Sequence, residues 1–237
     1  MIPAADLEPT IPRPLPQCRV PEPHEITEEG FGYFRGTWRI DRVPVADAQA
    51  VIEDEALLIA LLDAVALTGE EYESLATGVE AGSLDGLPPA LRARALKAEL
   101  ATSLPSDDDI PPLFGLEIGV AGLACALSMI WCRAAASCRS HVDDRSWSDC
   151  PVVFFVAPEW RLELLAPLIE RAGCGLGADR DMLTVYGRSI RDTHNLARLI
   201  VEERSTFRAR PQHKRRVTST GGSKTGLARD CQQQLFS

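Results

Sequence analysis

The sequence has no long apolar run. Its longest uncharged stretch with helical character lies between Glu117 and Arg133 and counts fifteen residues. That is too short to span a bilayer comfortably, so no membrane segment is expected. The opening MIPAADLEP lacks a basic region followed by an apolar one, so no secretory signal is expected either. No internal repeat is found, and the composition excludes collagen, a coiled-coil rod and global disorder. An even disulfide set is also missing. The seven cysteines are Cys18, Cys125, Cys132, Cys138, Cys150, Cys174 and Cys231. An odd count without an export signal predicts reduced thiols in a bacterial-type cytoplasm.

Two suggestive segments fail their motif tests. TSTGGSKTG, near the end, has Lys224 before Gly226 and no strand before it, so it is not a phosphate loop. The Asp107–Asp109 triplet lacks the alternating spacing and terminal Glu of an EF-hand, so a solvated linker is expected there.

What is present is an ordinary globular composition, 45% apolar over 237 residues, enough to bury a sizeable core. The net charge of −9 is unevenly spread: −13 over residues 1–109, −3 over 110–203 and +7 over 204–237. The acidic body repels phosphates, which leaves the basic tail 204–237 as the one place for nucleic acid.

Five regions follow. Residues 1–30 form a proline-rich leader; seven of the seventeen prolines lie in the first 24 residues and favour extended or disordered chain. Residues 31–104 read as a small β-hairpin, turning at Arg35-Gly36, and an acidic helical block. Leu57, Leu58, Leu61, Leu62 and Val65 share a helix face, and Thr68 with Glu71 suits a capping box. Pro88 and Pro89 open a third helix to about Leu104. Most acids of this block are placed on solvent faces. Residues 105–112, PSDDDIPP, are the linker. Residues 113–203 read as an α/β domain. In it, Ile118–Cys132 is a helix buried all round, AAAS and VVFFVA are strands, and Pro158–Arg171 is a helix. GCGLGAD is a turn, MLTVYG a strand, and Ser189 with Asp192 caps a last helix. Residues 204–237 are taken as a disordered basic tail. The fold class is α+β or α/β: a helical N-terminal part, then a small two- or three-layer α/β sandwich.

Chemistry concentrates in the polar loop after AAAS. Cys138 and His141 are spaced C-x2-H, and Cys150 follows, a donor set that suits zinc. Cys138 as thiolate with His141 or His194 as base would suit nucleophilic catalysis, and Arg139 would lower the thiol pKa. Arg139 and Arg145 of the loop, with Arg188 at the start of the last helix, would suit a small anionic ligand, to which Ser137 and His141 would add hydrogen bonds. Cys125, Cys132 and Cys174 read as small core residues, and His194 as a surface one.

From Glu117 to Val156 the chain runs as an apolar helix, then Ser-Cys-x-x-His, a polar loop and Pro-Val-Val-x-Phe. This resembles a pattern in uncharacterised bacterial proteins that read Ser-Cys-x-Gly-His; here Ser140 stands in the glycine position. The resemblance implies that Ser137–Phe155 is the site region and implies no activity. The expectation is a non-enzymatic ligand- or partner-binding module with its site at loop 137–149. The alternative is a cysteine- or zinc-dependent hydrolase centred on Cys138 and His141. A protein partner would meet the acidic helices 46–104. No cofactor is specified.

Overall fold

A computed structural model describes residues 1–25, 30–31, 34–35, 43–98, 100, 112–142, 146 and 148–208. Asp143, Asp144, Arg145, Trp147, Cys231, most of the linker and the tail from residue 209 lie outside the described residues.

The hairpin consists of β1 (Gly30–Phe31) and β2 (Phe34–Arg35), with Gly30 opposite Arg35 and Phe31 opposite Phe34. Arg35 is thus a strand residue, not the turn expected of it. Pro44, with φ fixed near the helical value, opens α1 (Val45–Val65). Leu58, Leu62 and Val65 are buried, whereas Leu57 is 51% exposed, because one position back rotates a side chain by about 100°. Thr68 caps α2 (Gly69–Glu80), accepting from the Glu71 amide at 3.2 Å. The Glu71 carboxylate reaches back to the amide of Leu67 at 2.8 Å, one residue before the cap. α3 (Pro89–Lys97) ends earlier than expected; Leu104 is outside the described residues.

The second half is a four-stranded antiparallel sheet with helices. α4 (Ala121–Met129) leads into β3 (Arg133–Cys138) and β4 (Val152–Val156). Then come α5 (Glu159–Arg171), β5 (Gly175–Asp179), β6 (Met182–Tyr186) and α6 (Ile190–Glu202). The strand order is β3-β4-β6-β5. β5 corrects the sequence reading, which made GCGLGAD a turn. Its glycines serve packing: a Cβ on Gly175 would lie 2.2 Å from the Tyr186 ring. The protein is therefore a mixed α+β fold with a helical N-terminal part. Among the described residues no helix is long and apolar enough to cross a membrane.

One sheet face packs on the helices through Val153, Phe155, Leu176, Leu183 and Val185. The other gathers Cys138, Val152, Phe154, Val156 and Met182, against which Cys18 of the leader packs. The leader was expected to be extended or disordered; its described residues lie along the domain and end in a 3-10 turn, Pro23–Glu25. Ala5 donates to the Arg188 carbonyl at 2.7 Å, and the Thr10 carbonyl accepts from Leu176 of β5 at 2.8 Å. Arg133 of β3 donates to the Pro21 carbonyl at 3.2 Å. Proline lacks the amide donor, yet its carbonyl still accepts, and both outer strands offer donors to the leader, Leu176 by its amide and Arg133 by its guanidinium. The described chain also continues past α6 into a 3-10 turn, Arg204–Phe207, with Phe207 buried.

Candidate functional site

β3 delivers the loop that the sequence singles out. Cys138, its last residue, is buried and pairs with Val152. Ser140 follows with φ of +67°, the left-handed region that favours glycine. A left-handed turn is thus formed here with a serine.

Arg139 is the largest correction. It was expected to hold an anionic ligand, but its side chain is fully buried and committed to α2. Nη1 and Nη2 donate to the two oxygens of Glu73 at 2.7 and 2.9 Å, a bidentate fork. Nε donates to Glu80 at 2.8 Å, and Nη2 also reaches the Thr77 hydroxyl at 3.3 Å. Glu73, Thr77 and Glu80 sit at i, i+4 and i+7, one face of α2. Most acids of this block were expected on solvent faces; Glu55 and Glu73 are buried exceptions. A buried guanidinium explains the α2 face: the charges compensate each other out of water. Burial pushes Glu73 up, but the bonds from Arg139 and His141 overcome this and hold it at about 2. Glu80 goes the other way, raised because burial outweighs Arg139.

His141 joins the same cluster. Its Nδ1 lies 2.9 Å from Glu73 and its Nε2 3.1 Å from Glu117. The other oxygen of Glu117 accepts from the Arg139 amide at 2.6 Å. The Arg139 guanidinium thus faces two carboxylates, Glu73 and Glu80, and its backbone amide a third, Glu117, so its charge is taken up by carboxylates and not offered to an anion. Burial pushes the thiols of Cys138 and Cys150 up. Cys138, His141 and Cys150 were the expected ligand set. Among the described residues the structure groups Cys138 and His141 with Glu117 instead, their donor atoms all within 4.8 Å of one another. Ser137 is a β3 residue opposite Val153. Arg188 is exposed and, with Ser140, His141 and Asp149, lines a cavity of about 40 Å³, so the loop and the start of α6 do meet. Buried Tyr72 also borders that cavity, and its hydroxyl has no hydrogen-bond partner among the described residues. Arg145 lies outside the described residues.

A second histidine cluster escaped the sequence reading. His194, expected on the surface, has a side chain only 12% exposed and sets Nδ1 2.8 Å from Glu55. The other oxygen of Glu55 accepts from the amides of Gly119 and Gly122, at 2.8 and 3.1 Å, at the start of α4. Free amides and the helix dipole stabilise a carboxylate there. The G-x-x-G spacing was the available signal: a Cβ on Gly122 would lie 2.5 Å from Glu55.

Beside the Arg139 cluster runs a groove of about 670 Å³ along α2, walled by Glu70, Glu73, Ser74, Thr77, Leu87 and the loop residue Val142. None of the described residues lining it is basic.

Fold and site together define a mixed α+β protein whose polar loop is anchored to an acidic helix by a buried arginine. No known protein family matches the chain, and neither a curated protein nor a solved structure shows significant similarity to it.

Proposed function

We propose that the chain is a non-enzymatic ligand-binding module whose site extends from loop 137–149 onto α2 and takes a cationic group on an apolar body. The observation that carries this is the α2 groove. Its volume suits a small ligand or a peptide side chain. Its lining is acidic and apolar, and Glu73 and the loop's Val142 join it to the charge cluster. Arg139 holds Glu73 in place and takes up its charge, so the carboxylate offered to a cation is that of exposed Glu70. The anionic ligand expected from Arg139 and Arg188 is set aside for the reason given above.

Binding is favoured over cysteine hydrolysis by the state of Cys138. A nucleophilic thiol is exposed and lowered in pKa, whereas this one is buried and raised. The described cysteines are all free thiols, which supports a reducing, cytoplasmic setting.

Benzylamine and its uncharged analogue benzyl alcohol test the reading, titrated into the 15N-labelled full chain. Benzylamine is expected to shift amides of α2, residues 81–87 and Val142, at about millimolar affinity. Glu70→Gln should weaken it, and benzyl alcohol should bind less well. Equal shifts from both probes, or none in the groove, would contradict the proposal.

A further inference from the structure

The loop carries a second, more specific chemistry. We infer that Glu117, Cys138 and His141 bind one divalent transition-metal cation of the zinc type. This goes beyond the groove reading and shares the loop and Glu73 with it, but none of the three donors lines the groove, so either stands without the other.

The donors are a carboxylate, a thiolate and an imidazole, a mixed set that favours a borderline ion over magnesium or calcium. Metal–donor lengths of about 2.0–2.3 Å place tetrahedral donors about 3.3–3.8 Å apart. All three donor atoms lie within 4.8 Å of one another, and Nε2 and the Glu117 oxygen are already 3.1 Å apart. Closing the set takes small side-chain rotations.

The supporting contacts are those that such a site needs. Glu73 faces Nδ1 of His141 at 2.9 Å, which fixes the proton there and leaves the Nε2 lone pair for the ion. The Arg139 amide holds the Glu117 oxygen that is not offered to the ion. The Ser140 amide and the Ser146 hydroxyl, the latter 4.0 Å away, face the Cys138 sulfur.

Charge argues the same way: Glu73 and Glu117 face the two ring nitrogens of His141, so a dication between Nε2 and the Glu117 oxygen meets negative charge on its own side. Three protein donors leave a fourth position for water or an incoming ligand.

The test is a cobalt(II) titration of the reduced full chain under anaerobic conditions, read by absorption. About one equivalent is expected to bind with a near-ultraviolet sulfur-to-cobalt charge-transfer band. Cys138→Ser should abolish the band, and Glu73→Gln should weaken binding about 10–100-fold. Cys150→Ser should leave it intact. The wild-type spectrum is decisive even if a variant fails to fold. No charge-transfer band in the wild-type chain overturns the inference. So does a band that survives Cys138→Ser or vanishes with Cys150→Ser. Benzylamine binding without the cobalt band would leave the groove standing and the metal site refuted; the converse would separate them equally.

Discussion

The two histidine–glutamate clusters hang on one short stretch of chain, residues 117–122, yet they are built for different work. At Glu55, one carboxylate oxygen is spent on the amides of Gly119 and Gly122 and the other on His194. Among the described residues Glu55 and His194 belong to no set of three potential metal donors, and the result is a helix cap with a histidine lid. At Glu117, the carboxylate meets His141 and Cys138 with donor atoms converging on one point. A carboxylate that faces amides closes a helix end. One that faces an imidazole and a thiol makes a ligand set.

The largest effect should come from the arginine that holds the second cluster together. Arg139→Met removes the guanidinium that Glu73 and Glu80 both face and should cost about 3–5 kcal/mol in urea unfolding. If the loss is below about 1 kcal/mol, the cluster is not what anchors the loop. Next comes Glu55→Ala, which strips the start of α4 of its acceptor; about 2–3 kcal/mol is expected by thermal or urea unfolding. Cobalt binding at Cys138 should survive in that variant, which separates cap from ligand set.

How far the sequence carried depended on the range of the interaction. The capping box of α6 is complete within four residues: the Ser189 side chain accepts from the first-turn amides and Asp192 returns the bond. The burial of α4 was written in its small apolar residues. The loop 137–149 stood out because it is polar between two apolar elements. Glu73 and Glu80 did not stand out, since what buries them is Arg139, about sixty residues away in sequence. On α2 alone they look like a solvated stripe. β5 failed for a similar reason, because its glycines answer to Tyr186 and Thr184 on the neighbouring strand.

Two smaller effects sharpen the comparison. Gly122→Ala should cost about 1–3 kcal/mol, because the new methyl meets the Glu55 carboxylate. It should leave the Cys138 side untouched. Ser140→Gly should stabilise by about 0.5–1 kcal/mol, relieving a left-handed serine in the turn between Cys138 and His141. A loss of stability there would mean that the Ser140 side chain contributes more than its backbone strain costs.

The most direct test of the convergent donor set is the metal content of the full chain, purified reduced and without chelator, by elemental mass spectrometry. The account predicts about one zinc-type ion per chain, lost in Cys138→Ser and retained in Glu55→Ala. A chain that carries no metal and takes up none after dialysis against zinc would contradict it.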